Sequence, residues 1–125
     1  ESEEGTVTGN VGRSLKDRMK MAVFPDGTQG KHAVTHYKVL ERLGYVNLLE
    51  CRLETGRTHQ IRVHMSHIGH PVLGDWLYGG VNIDLIERQA LHAASLTFTH
   101  PITKEQLTLT APVPEDMQNV LRRLK

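Results

Sequence analysis

The sequence predicts an α+β domain: a mixed, mainly antiparallel β-sheet with flanking helices. Three observations lead there. Segments of β-type alternation outnumber helical ones, short Gly- or Pro-containing turns connect them, and only two stretches carry helical spacing. A length of 125 residues suits one core and leaves no room for two. With 38% hydrophobic and 23% charged residues, the chain is globular in composition and not disordered. Its single cysteine, Cys51, excludes an internal disulfide framework and any Cys-cluster metal site. No apolar run approaches the ~20 residues a membrane-spanning helix needs, and the acidic opening Glu1–Glu4 lacks the character of a signal peptide. The composition predicts a soluble, intracellular domain, with the cytoplasm as the expected location.

The elements follow in order. Gly5 leads into an entry strand at Thr6-Val7-Thr8. Met19–Val23 reads as a second strand, ended by the turn signal Pro25-Asp26-Gly27. Ala33–Leu43 alternates Val34, His36, Lys38 and Leu40 with Ala33, Thr35, Tyr37 and Val39, which makes it the longest strand. Gly44 reverses the chain, and Tyr45–Leu53 supplies the antiparallel return. A helix over His59–Ile68 follows, with Thr58 as N-cap, Ile61, Met65 and Ile68 as its apolar stripe, and Gly69 then Pro71 as its stop. That stripe needs an apolar floor, and the long strand should supply it through Thr35/Tyr37/Val39 or Val34/His36/Leu40. Leu73-Gly74-Asp75 and Tyr78-Gly79-Gly80 form a glycine-rich loop. Leu91–Thr99 and Gln106–Thr110 read as a hairpin across His100-Pro101-Ile102-Thr103, and Pro114-Glu115-Asp116 opens a last helix to about Leu124.

Charge is segregated although the net is only +1. Between Val11 and His32 stand Arg13, Lys16, Arg18, Lys20 and Lys31 against Asp17 and Asp26. Such a stretch can follow a phosphate backbone, or simply be a solvated loop between strands.

The densest chemistry lies at Thr55-Gly56-Arg57-Thr58-His59-Gln60-Ile61-Arg62-Val63-His64. A strand ends, a glycine turns the chain, and a helix N-terminus with free N–H groups favours an anion. His59, Arg62 and Ser66 share a helix face distinct from the apolar stripe, and a guanidinium there offers a fork to carboxylate or phosphate. Surface pairing of both arginines with Glu50 or Glu54 is the alternative. His59, His64, His67 and His70 invite a metal reading, since residues three apart on a helix can converge on one ion. No HExxH arrangement, cysteine or acid pair completes a shell, so no metal is assigned. Cys51 alternates with Leu49 and Leu53 in a strand and lacks an activated nucleophile's setting. Trp76 and Tyr78 beside Asp75 can stack a base or anchor the loop.

The run Leu53-Glu54-Thr55-Gly56-Arg57-Thr58-His59-Gln60-Ile61-Arg62-Val63-His64-Met65, with Gly69-His70-Pro71-Val72-Leu73-Gly74-Asp75 and Tyr78-Gly79, resembles the C-terminal motif region of bacterial pseudouridine synthases. The match is to the type that modifies large-subunit ribosomal RNA and some tRNAs. Gly30–Tyr37 upstream, and Arg88–Ala93, His100-Pro101 and Ala111–Pro114 downstream, extend it from Gly5 to Asp116. Trp76 departs from the pattern, which usually has proline after Gly-Asp.

The resemblance implies a C-terminal portion of a catalytic domain over residues 1–125, acting without cofactor or metal on RNA and away from membranes. The family's nucleophilic aspartate lies in a His-Arg-Leu-Asp context, which none of Asp17, Asp26, Asp75, Asp84 and Asp116 shares. Its active-site tyrosine strand also has no counterpart. These 125 residues alone are therefore expected to be inactive and to partner the N-terminal remainder of their own domain. Arg62 maps onto the family's active-site arginine, which orients that aspartate. Arg57, Thr58, His59 and Gln60 would shape the cleft wall or contact RNA, with Arg13, Lys20 and Lys31 along the phosphates. The rival is a non-catalytic RNA-binding module on the same scaffold.

Overall fold

The computed structural model describes residues 3–17, 19–43, 46–80, 89–93, 95–99, 102–104 and 106–124. Among these residues, seven strands and two helices follow in the order β1 (Glu4–Thr8), β2 (Asn10–Arg13), β3 (Met21–Phe24), β4 (Val34–Arg42), β5 (Asn47–Leu53), α1 (Gln60–His67), a 3-10 turn (Trp76–Tyr78), β6 (Ser95–Thr99), β7 (Gln106–Thr110) and α2 (Glu115–Leu124). All strand pairings among the described residues are antiparallel. β4 lies between β1 and β5, while β2–β3 and β6–β7 are two-stranded ribbons.

Most expected elements stand within two residues of their predicted ends, and three points differ. β2 was not anticipated, because Gly12 and Arg13 break any apolar alternation. It forms because the chain passes Gly9, whose N–H donates to the Ala33 carbonyl, and then changes partner from β4 to β3. The basic stretch is thus a two-stranded ribbon with exposed connections, and Lys16 and Lys20 stand in the connection between its strands. The return strand begins at Asn47; Gly44 and Tyr45 lie outside the described residues, and Leu43 N–H closes the reversal on the Val46 carbonyl at 2.9 Å. Of the second hairpin's turn, His100 and Pro101 also lie outside them, and its first strand starts only at Ser95.

Helix α1 ends as predicted. Gly69 adopts φ +87°, its N–H bonds the Ser66 carbonyl, and His70 N–H reaches the Met65 carbonyl at 2.9 Å, the paired bonds of a Schellman stop. Its start is different. Thr58 makes no capping bond; the N-cap is His59, in the left-handed region at φ 54°, and Gln60 Oε1 accepts from Arg57 N–H at 3.0 Å instead. Helix α2 carries Glu115 and Asp116 in its first turn and Arg122 and Arg123 in its last, each opposing the local dipole charge.

The face that α1 buries is Gln60, Val63, His64 and Met65, whereas Ile61 and Ile68 are only half-buried. The expected floor is corrected accordingly. The apolar cluster under the helix is Val11, Ala33, Val63 and Tyr78, edged by Met21, Val23 and Leu77, so β2–β3 supplies much of it. β4 instead meets the helix through a polar chain. Gln60 Nε2 donates to Thr35 Oγ1 at 3.0 Å and to the Val34 carbonyl at 2.9 Å. Thr35 Oγ1 lies 2.8 Å from His64 Nδ1, and His64 Nε2 lies 3.0 Å from the Gly9 carbonyl. A carbonyl only accepts, so Nε2 carries the proton and Nδ1 accepts from the threonine hydroxyl. Gln60 Oε1 also accepts from the Thr55 hydroxyl at 2.7 Å. No buried side-chain polar atom among the described residues lacks a partner.

This chain predicts its own fragility. Thr35→Val keeps the shape but strips His64 Nδ1 and a Gln60 N–H of their partner, at an expected cost of about 1–3 kcal/mol in urea denaturation. Thr35→Ser should retain most of the stability, and a valine variant as stable as the parent would contradict the network. Burial also holds the His64 pKa below the ordinary 6.5 of histidine. The unfolded chain then takes up the proton first, so this contribution is whole above pH 6.5 and is lost as pH falls toward the folded value. Denaturation midpoints measured from pH 7 down to 5 should decline.

Candidate active site

Three side chains one helical turn apart, His59, Arg62 and Ser66, point from α1 to a single turn, Asp75 to Tyr78. The sequence places them on one face, and the structure shows what that face meets. Arg62 Nε donates to Asp75 Oδ2 at 2.7 Å and Nη2 to Oδ1 at 2.9 Å, a side-on bidentate pair. Its Cζ sits 5.1 Å from the centroid of the Tyr78 ring. Ser66 Oγ donates to the Tyr78 carbonyl at 2.7 Å.

Tyr78 is the hub. Its hydroxyl accepts from Met21 N–H at 2.8 Å and therefore turns its own hydrogen to His59 Nδ1, also at 2.8 Å. The two rings meet edge to face at 5.6 Å. The left-handed backbone at His59, a conformation histidine tolerates better than most residues, swings its ring onto that hydroxyl. Burial first, then the charge of Arg62, pushes the His59 pKa down, and burial pushes that of Tyr78 up. The bonds to Asp75 raise that of Arg62. All three groups are held in their ordinary neutral-pH states: neutral imidazole, neutral phenol, charged guanidinium.

The turn is made rigid by close packing. Asp75 N–H bonds the Val72 carbonyl, and Gly80 N–H returns to the Asp75 carbonyl at 2.8 Å. A β-carbon on Gly80 would stand 2.1 Å from the Val72 carbonyl oxygen, so only glycine lets the chain close here.

The other sequence-predicted residues separate into two groups. Arg13, at the end of β2, is near enough to act electrostatically on both His59 and Tyr78. Lys20 lies beside it in the ribbon's connection, where its carbonyl accepts from Ser14 N–H, and exposed Lys31 bridges Val11. Arg57 Nε is tied to the His32 carbonyl at 2.9 Å, pinning the approach to β4, and Thr58 is exposed. Gln60 is only 2% exposed and its amide is committed inside, so it shapes the wall from behind. Both ring nitrogens of His64 are engaged within the fold. No group of three His, Cys, Asp or Glu suited to a metal occurs among the described residues. Cys51 is half-buried, and burial raises its thiol pKa, the opposite of activation. A shallow hollow of about 440 Å³ on the far face of β1–β4–β5, lined by Glu4, Thr6, His36, Lys38, Glu50 and Arg52, mixes both charge signs and lies apart from this cluster.

Sequence reasoning missed Asp75 as the partner of Arg62. The fork expected to await a carboxylate from elsewhere already holds one along its Nε edge. The pair should be detectable as coupling. The side chains of Asp75 and Arg62 are 1% and 14% exposed. Asp75→Asn therefore strands a buried guanidinium and should cost about 3 kcal/mol. Arg62→Met should cost a similar amount, and the double variant clearly less than their sum in a denaturation cycle. Additive losses would mean the pair is not coupled.

The family profile described as RNA pseudouridylate synthase matches residues 1–67. An uncharacterised RNA pseudouridine synthase of Chlorobaculum parvum is 48% identical, covering 99% of this chain and 43% of the relative. The ribosomal large subunit pseudouridine synthase D of Xanthomonas campestris is 46% identical over 97% of this chain and 40% of its own length. In structure, human RNA pseudouridylate synthase domain containing 1 superimposes with a TM-score of 0.71 at 29% identity, over 98% of this chain and 60% of that one. The chain thus spans less than half the length of the curated relatives it matches. A profile match over 67 of 125 residues, ending at His67 on the helix that carries His59 and Arg62, places this chain in the RNA pseudouridylate synthase family.

Proposed function

We propose that these residues form the arginine-bearing, C-terminal portion of a catalytic domain that converts uridine to pseudouridine in RNA, with large-subunit ribosomal RNA as substrate. The observation that carries the reading is the setting of Arg62. Asp75 fixes its Nε edge and Tyr78 lies against it, while a guanidinium has five N–H donors and the pair with Asp75 uses two. The other edge has no partner among the described residues. A carboxylate supplied by a segment outside this sequence can dock there, ionised and aimed.

In the reaction, that aspartate attacks the uridine and the N1–C1′ bond breaks. The ring re-attaches through C5, whose proton leaves to solvent, while N1 gains one; the overall change is an isomerisation. Flipping the nucleotide out of the RNA exposes it to such chemistry. Arg62 stabilises the carboxylate, and the low dielectric of its half-buried place strengthens that interaction. His59 and Thr58 line the approach, and Arg57 orders it through His32. Arg13, Lys20 and Lys31 follow the phosphates from the β2–β3 ribbon. The relatives named for ribosomal large subunit modification support the choice of RNA.

Two assays test this. Tritium release from C5-labelled uridine in substrate RNA should be absent for residues 1–125 alone and present for the full-length protein. In the latter, Arg62→Lys keeps the charge but loses the fork, so turnover should fall by at least about 100-fold while RNA binding persists. A lysine variant as fast as the parent would contradict the role, and an inactive full-length protein would favour the RNA-binding module. Separately, charge reversal of Arg13, Lys20 and Lys31 together should weaken RNA retention on filters and flatten its salt dependence.

A further inference from the structure

We propose that Trp76 is a stacking platform for a nucleobase that neighbours the target uridine, an inference that rests on the RNA-modifying reading above. Trp76 is the only tryptophan in the sequence and is 65% exposed, an unusual state for the largest apolar side chain. Its neighbours in the same short turn are not exposed: Asp75 and Tyr78 are both buried. A 3-10 turn repeats every three residues, so Asp75 and Tyr78 stack on one side toward α1 and Trp76 projects away from them. The loop-anchoring role open to this tryptophan is taken by Tyr78, whose hydroxyl and carbonyl are both bonded.

Among the described residues no hydrogen bond of the indole helps to hold the turn, yet the turn holds the indole. Asp75 is locked to Arg62, and Gly80 closes back on the Asp75 carbonyl. A platform already fixed in space loses little freedom when a partner lands on it. Its backbone adjoins Asp75, the residue that fixes Arg62, so the platform is carried by the same turn as the proposed site. Every base has a π-face, and removing such a stack weakens binding about tenfold per base. The partner is consequently an unpaired base in a loop or single strand, since a paired base hides its faces.

The test uses the full-length protein and its Trp76→Phe, Trp76→Leu and Trp76→Ala variants. The probe is a short mixed-sequence single-stranded RNA, with the same sequence as a duplex for comparison. Subtracting the phenylalanine variant's emission isolates Trp76 whatever other tryptophans the whole protein has. The expected difference spectrum is that of a water-exposed indole, quenched by the single strand and far less by the duplex. Affinity should stay within about threefold for Trp76→Phe and fall roughly tenfold for Trp76→Leu and Trp76→Ala. A blue-shifted, unquenched difference spectrum would show that another part of the protein covers the indole and would overturn the proposal. So would equal affinity for all four proteins. Tritium release by the parent protein, measured in parallel, separates failure of the stacking proposal from failure of the catalytic reading.

Discussion

A polar group can leave water only if each donor and acceptor finds a partner, and helix α1 takes several out of water at once. Gln60 and His64 enter the fold on its inner face, and Arg62 is largely covered on another. The inner pair is satisfied by a directional sequence of bonds from Gln60 through the Thr35 hydroxyl and His64 to the Gly9 carbonyl. Because each member has one usable orientation, the helix has one usable rotation and depth. An apolar stripe alone would permit sliding; this chain does not.

That rotation is what places the chemistry. With Gln60 turned to the sheet, residues at 59, 62 and 66 face the Asp75–Tyr78 turn, and each finds a bond there. The Tyr78 hydroxyl ties the same turn to β3 through Met21 N–H, so helix, ribbon and loop share one joint. Arg62 leaves this joint with one edge spent on Asp75. A long flexible side chain has thereby become a fixed donor, as the proposed electrostatic role requires.

Much of this was legible in the sequence because local rules were obeyed. β-branched alternation marks β4, Gly69 and Pro71 mark the end of α1, and Pro114 with two acids marks α2. The common face of His59, Arg62 and Ser66 follows from helical spacing alone. The buried face of α1 was not legible, since Gln60 and His64 read as surface residues until their partners on β4 and at Gly9 are known. Those partners lie 25 and 55 residues away. The Arg62–Asp75 pair was hidden for a similar reason: it spans 13 residues through a glycine-rich loop with no periodicity. β2 escaped because its identity depends on a change of partner at Gly9 and not on its own composition. The N-cap falls at His59 and not at Thr58, and no side chain caps it; Gln60 Oε1 instead holds the preceding Arg57 N–H.

The central claim is that Arg62 is a fixed donor and not a mobile surface cation. Nitrogen-15 NMR of arginine side chains in the full-length protein tests it directly, since Nε–H exchanges rapidly with water unless it is held by an acceptor. The account predicts one slowly exchanging Nε–H resonance, assigned by its disappearance in Arg62→Lys, that loses its protection when Asp75 becomes asparagine. An Arg62 Nε–H that exchanges in the parent protein as fast as a solvated arginine would contradict it.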